Sequence, residues 1–187
     1  MFAIPLGDGA ELRPVEPWQA QEFLEHIERA REYARPWVPL MVRVTDVESA
    51  RVLLQDFADR QAADTGRLWA VRLDGTLVGG VLFRVFDTAN ETCEVGVWLE
   101  PAAAGRGLVG RAVEVLVDWA VEERGMHRVE WLASSANHRS IAVAKRLGMS
   151  RDGVLRESFP WQGVRHDMEV WSVLAPEWRA RREAGRR

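Results

Sequence analysis

The pattern of apolar and polar positions changes character at Arg67. From there Leu68–Leu73 and Thr76–Phe86 are runs rich in valine, leucine and phenylalanine, joined by Asp74-Gly75. Such a pair tolerates the positive φ angles of a two-residue hairpin, so two antiparallel strands are predicted. A third strand spans 91–99, after a polar turn at Asp87–Asn90, and its short connection makes it antiparallel to the second. Upstream, Ala10–Val15 reads as a short strand, and Pro17 opens a helix that runs to Tyr33, because a first helical turn does not need proline's missing N–H. Arg35-Pro36-Trp37-Val38-Pro39 breaks that helix. Thr45 with Glu48 three residues on has the form of a capping box, so a second helix is expected through Leu53, Leu54 and Phe57 toward Gly66. Downstream, Val109, Val113, Leu116 and Ala120 share one face of a helix predicted from Gly107 to Arg124 and closed by Gly125. A strand at His127–Ala133, a short helix at Asn137–Leu147 stopped by Gly148, and strands at Val154–Trp161 and Val164–Leu174 around Gln162-Gly163 complete the chain.

The order β-α-α-β-β-β-α-β-α-β-β is mixed α/β with one sheet, and no repeat or linker divides it. A chain of 187 residues, 47% apolar, is long enough to bury a core without disulfides or metal. One domain over 1–187 is therefore expected. A net charge of -3 provides no cationic footprint for nucleic acid. The arginines near the C-terminus (Arg179, Arg181, Arg182, Arg186, Arg187) read as a solvated, frayed basic tail over the last ten or so residues. Cys93 is the single cysteine, which excludes an intrachain disulfide and a cysteine-based zinc cluster. No run is long enough to span a bilayer and Met1–Gly9 lacks a signal pattern, so the cytoplasm is the expected location.

The chemistry is concentrated in Glu94-Val95-Gly96-Val97-Trp98-Leu99-Glu100-Pro101-Ala102-Ala103-Ala104-Gly105-Arg106-Gly107-Leu108-Val109-Gly110-Arg111, a strand that enters a glycine-rich turn and then a helix. The first amides of such a helix have no intrahelical partner and carry the positive end of its dipole, which suits a diphosphate. Glycine at 105 and 107 keeps side chains away from those amides. Gly105-Arg106-Gly107-Leu108-Val109-Gly110 also satisfies the Gly-x-Gly-x-x-Gly dinucleotide pattern. That pattern belongs directly after the first strand of a βαβ unit, whereas here antiparallel hairpins precede it. A turn that merely starts a helix is the plainer alternative.

A second run, Asn137-His138-Arg139-Ser140-Ile141-Ala142-Val143-Ala144-Lys145-Arg146-Leu147-Gly148-Met149, sharpens the reading. The strand-Gly-x-Gly-helix paired with a downstream Asn-x-x-Ser helix ending in Leu-Gly-Met resembles the GNAT superfamily of acyl-CoA N-acyltransferases. Within it the chain is similar to the RimL/RimJ-type ribosomal-protein N-terminal acetyltransferases. Pro36-Trp37 after the first helix, the Glu-x-Gly-x-Trp-Leu strand and a late Asp167 agree. Ala102 stands where the superfamily often has Gln or Arg, and Ala144 where many members have a tyrosine acid; this branch uses a serine at the Ser140 position.

The resemblance implies a fold with splayed central strands and acetyl-CoA, or another acyl-CoA, as donor. It maps the thioester and pantetheine arm onto Val97, Trp98 and Leu99, with a strand N–H polarising the carbonyl. The diphosphate falls to Gly105, Arg106, Gly107, Leu108, Val109, Gly110 and Arg111, where either arginine can pair with a phosphate. Asn137 is expected to cap its helix and touch the cofactor, and Ser140 to protonate the departing thiolate. Glu94 is the candidate base that neutralises an attacking amine. Trp37 and Trp161 are candidate walls of the acceptor pocket, with simple packing the alternative for each. No metal is called for. The acceptor is a primary amine, such as a protein N-terminus or a small amine, and the branch suggests a homodimer. A non-catalytic acyl-CoA-binding module on the same fold is the rival reading.

Overall fold

The structure is a computed structural model that describes residues 3–185. A hairpin of β1 (Ile4–Gly7) and β2 (Ala10–Pro14) is followed by a 3-10 turn at Pro17–Gln19, α1 (Ala20–Ala34), a single turn α2 (Leu40–Arg43) and α3 (Val47–Ala62). Next come β3 (Arg67–Leu73), β4 (Thr76–Asp87), β5 (Thr92–Leu99), a 3-10 turn at Pro101–Ala103 and α4 (Leu108–Asp118), which widens into a π turn at Trp119–Glu123. The chain ends with β6 (Arg128–Ser134), α5 (His138–Arg146), β7 (Ser150–Trp161), β8 (Val164–Leu174) and α6 (Ala175–Ala184). The predicted mixed α/β order is present, with β1, α2 and α6 added. The chain packs as two compact units, one made of residues up to Arg84 with Val97–Val113, the other of Val85–Gly96 with the residues from Glu114 onward.

In the first unit β1, β2, β3 and β4 pair antiparallel in that order. The expected β3–β4 turn is present, with Asp74 at φ 49° and Gly75 at φ 81°. On α1, Phe23, Ile27, Ala30 and Ala34 recur at helical spacing and are buried with Met41, Leu54 and Trp98 in one apolar cluster. β1 has a pattern too short to read, and its Pro5 is tolerated because β1 pairs only with β2. The helix-start signal lies one residue later than expected. Asp46, not Thr45, caps α3, since its carboxylate accepts from Ser49 N at 2.7 Å while Asp46 N donates to Ser49 Oγ at 3.0 Å.

In the second unit β6 pairs parallel with β5 at Thr92↔Arg128, Cys93↔Val129 and Glu94↔Glu130, and antiparallel with β8 along its whole length. β8 then pairs with β7, whose register shifts between Leu155 and Phe159, with Glu157 at φ 51°. Asp167 holds this irregularity: its Oδ1 accepts from Glu157 N at 2.7 Å, and its main-chain carbonyl accepts from Ser135 N at 2.9 Å. The frayed tail is corrected over the described residues. Arg179, Arg181 and Arg182 lie on α6, which buries Trp178 completely and ties its indole to Asp118 Oδ1 at 2.7 Å. Arg182 reaches Asp118 at 2.7 Å and Glu114 at 3.2 Å. Arg186 and Arg187 lie outside the described residues. Among the described residues no helix is long and apolar enough to cross a membrane.

Candidate functional site

The candidate donor side lies at the end of β5. Its parallel register with β6 ends at Glu94, so the strand goes on into Val97, Trp98 and Leu99 without that ladder. Trp98 and Leu99 are buried and Val97 is half-buried. Glu100 N donates to Val78 O at 2.8 Å, which carries the chain into the Pro101–Ala103 turn.

Gly105 and Gly107 follow at φ 80° and 72°, the left-handed region where a side chain is strained. Both are exposed, and a Cβ on Gly105 or on Gly110 would meet nothing within 4 Å. Arg111 N bonds back to Gly107 O at 3.2 Å, so α4 begins at Leu108, and the amides before Arg111 fall in the turn that has no intrahelical acceptor. Arg106 is exposed on the turn. Arg111 gives the most direct sign of a ligand. Its Nη1 reaches Asp8 Oδ2 at 3.2 Å, yet its Nε and Nη2 are buried with no partner among the described residues. Buried guanidinium N–H groups are costly unless something accepts from them, and a phosphate oxygen is the natural acceptor. The turn, the helix dipole and this guanidinium therefore fit an anionic diphosphate.

The second unit carries the other expected groups. Asn137 caps α5 as predicted, its Oδ1 accepting from Ser140 N at 3.2 Å. The hydroxyl of Ser140 has a partner that periodicity did not reveal: the indole N–H of Trp131, 2.9 Å away on β6. An indole only donates, so Ser140 Oγ accepts here and its own proton stays available to another acceptor. Trp131 is buried, and the available signal was that a buried indole N–H needs a polar partner. Ala144, where many superfamily members carry tyrosine, is fully buried on α5. Glu94 is half-buried at the end of the β5–β6 ladder, opposite Glu130. Trp161 ends β7 and stacks on Phe159, rings 5.9 Å apart and 20° from parallel. Trp37 lies in the first unit, half-buried in the turn after α1, its N bonded to Ala34 O at 2.9 Å.

Cys93 takes no part in this chemistry. Burial, helped by the charge of Glu130, pushes its thiol up to about 12, so it is not a nucleophile near neutral pH.

A strand end opening into a glycine turn, with a helix dipole and an arginine beside it, fits the donor half of a transferase that uses a diphosphate-bearing carrier. The family model described as the acetyltransferase (GNAT) domain matches residues 10–150, and the chain belongs to that family. It is 28% identical over 179 residues to the "Putative ribosomal N-acetyltransferase YdaF" of Bacillus subtilis (strain 168), covering 95% of this chain and 98% of the relative. The crystallised RimL, a ribosomal L7/L12 alpha-N-protein acetyltransferase in complex with coenzyme A, shares the fold with a TM-score of 0.88 at 17% identity, covering 92% of this chain and 97% of that one. The microcin C7 self immunity acetyltransferase MccE, in complex with acetyl-CoA and AMP, does so with a TM-score of 0.85 at 22% identity, over 91% and 95%. The protein is thus an acyl-CoA-dependent N-acetyltransferase of this family, a reading that fits better than the binding-only one.

Proposed function

We propose that the acceptor is the α-amine at the N-terminus of a protein and that acetyl passes to it directly from acetyl-CoA while both are bound. The observation that carries the donor side is the buried Nε and Nη2 of Arg111, which have no partner among the described residues, beside the Gly105–Gly107 turn. On this reading Gly105 to Arg111 hold the diphosphate. The main chain of Val97, Trp98 and Leu99 holds the pantetheine arm and offers an N–H to the thioester oxygen.

An α-amine has an ordinary pKa near ~8 and a lysine amine near ~10.4, so the former is neutralised far more readily by a single carboxylate. Glu94 takes that proton, directly or through one water. The amine nitrogen forms its bond to the acetyl carbon and the carbon–sulfur bond breaks; Ser140 gives its proton to the departing thiolate and regains one, through water, from the nitrogen as it loses its second proton and becomes an amide. Trp131 sets the direction of that hydroxyl. Asn137 keeps its Nδ2 for the donor, and Trp37 and Trp161 wall the acceptor. The names of YdaF and RimL support a ribosomal-protein substrate.

The family match at 10–150 runs through both compact units, which supports one functional domain over 1–187. Work in the cytoplasm suits a lone reduced thiol. A homodimer is part of the same reading, and the edge strand β7, which exposes Val154 and Leu155, offers a surface for it.

The deciding experiment is a thiol-release screen that crosses acetyl-CoA and succinyl-CoA with peptides bearing a free α-amine, N-blocked lysine peptides and small polyamines. Release driven by acetyl-CoA and free α-amines is expected. Release with lysine or polyamines alone would overturn the acceptor assignment.

A further inference from the structure

A buried polar arrangement behind the end of β5 lies within the apolar core of the first unit. His26 on α1 is fully buried, with Phe23 and Trp98 as ring neighbours. Its Nδ1 is 2.6 Å from Glu100 Oε1, and its Nε2 is 2.9 Å from the Trp98 indole nitrogen. Because the indole can only donate, Nε2 keeps its lone pair and the ring proton sits on Nδ1, where Glu100 accepts it. One neutral tautomer satisfies both bonds. Arg29, almost one turn along α1, donates Nε to the same Glu100 oxygen at 2.9 Å and Nη2 to Leu77 O at 3.0 Å.

Glu100 is the hinge residue of the donor site. It follows the last residue of β5 and precedes Pro101, its N is bonded to Val78 O, and its carbonyl accepts from Ala103 N at 3.1 Å. The Trp98 ring is confined as well. A Cβ on Gly80 would run into the six-membered part of the indole, and one on Gly79 would strike Trp98 O and the Leu99 side chain. Ionic groups in an apolar core are a poor source of stability compared with well-packed apolar residues of the same volume. What this set provides is a single defined path for the chain.

We infer that His26 and Glu100, acting through the Trp98 indole, are positioning residues for acyl-CoA: they set how the end of β5 enters the Gly105–Gly107 turn. The inference rests on the assignment of that turn to the diphosphate. Loss of the indole bond lets the Trp98 ring turn and takes its main chain with it. Loss of the Glu100 carboxylate frees the hinge from α1. Either shifts donor-binding amides whose alignment has to hold within a fraction of an ångström.

The test compares Trp98→Phe, which keeps a ring but removes the N–H, with Glu100→Gln, which keeps the shape and an acceptor, and with Glu100→Ala. Acetyl-CoA affinity is measured by calorimetry, the KM of each substrate by steady-state rates, and folding by circular dichroism. The expected result for Trp98→Phe and Glu100→Ala is a rise of about tenfold in acetyl-CoA Kd and KM with the amine KM unchanged, and an intermediate rise for Glu100→Gln. If Glu100→Ala does not fold, the other two variants decide. Folded variants that only melt earlier and bind acetyl-CoA like the parent would overturn the inference. Gly107→Glu serves as the separate control: if it still binds acetyl-CoA the diphosphate assignment itself fails, and if it does not bind while Trp98→Phe binds normally, only the positioning role fails.

Discussion

Ser140 and Trp131 show how one hydrogen bond can orient a weak acid. The indole donates to the Ser140 hydroxyl, which under the proposed mechanism leaves that hydroxyl's own proton for the leaving group. Ser140→Ala should therefore lower kcat by about a hundredfold while acetyl-CoA affinity stays within about twofold, because a general acid acts in the transition state. Trp131→Phe should lower kcat in the same direction by a smaller factor. Single-turnover rates beside calorimetric titration would check both, and an unaltered kcat in Ser140→Ala removes the residue from the mechanism. For Cys93 the expectation is inertness: with the thiol at about 12, roughly one molecule in ten thousand is thiolate at pH 8. Iodoacetamide should label it only after denaturation, as mass spectrometry would report. The Asn137 cap was legible in the sequence, and helix spacing puts Ser140 on the same face, although it is the family resemblance that singles the two residues out. Trp131 and His26 were not, since their partners depend on tertiary placement: His26 meets Glu100 and Trp98 across 74 and 72 positions.

At the level of elements, the proposed function makes the turn and the first residues of α4 one anion-binding device. Gly107→Glu puts both a side chain and a negative charge at φ 72°, and should abolish measurable acetyl-CoA binding. Arg111→Gln should weaken it by about tenfold, since charge-assisted bonds to phosphate are lost while the amides remain. Strands and turns with strong local signals, such as β3, β4 and the Asp74-Gly75 hairpin, were readable in advance. α6 was not, because its anchoring face is essentially Trp178 set among arginines, and their partners Asp118, Glu114 and Glu122 lie some 57 to 68 positions earlier in the chain. Trp178→Ala should cost about 4 kcal/mol in the denaturation of the second unit, through the lost ring and the cavity it leaves. A denaturant midpoint equal to that of the parent would contradict the docking described for α6.

Over the whole molecule, stability should depend on pH in two stages. Burial holds His26 below its ordinary 6.5, against the opposing bond and charge of Glu100. Below 6.5 the unfolded chain takes up a proton that the fold refuses, so the unfolded state holds more protons and stability falls as pH falls from 6.5 toward the lowered value. Above 6.5 this contribution is flat. Glu22, held below 4.5 by its bonds to Arg72, and Asp152, held below 3.8 by Arg128, add a second loss as pH drops beneath those values. Urea midpoints measured from pH 7.5 to 5 should decline in the parent and less so in His26→Gln. A parent midpoint constant across that range would mean His26 is not kept neutral by the fold.

The position of β8 has a consequence for biosynthesis. It is made after every other strand among the described residues, yet it lies between β6 and β7. Until it emerges from the ribosome, β6 shows an open row of amides and carbonyls along the flank that β8 will occupy, and β7 has no neighbour to pair with. The second half of the sheet therefore cannot close until Val164–Leu174 has been made. A nascent chain halted before Val164 should be sticky, held by chaperones and devoid of transferase activity, however well its first hairpins have formed.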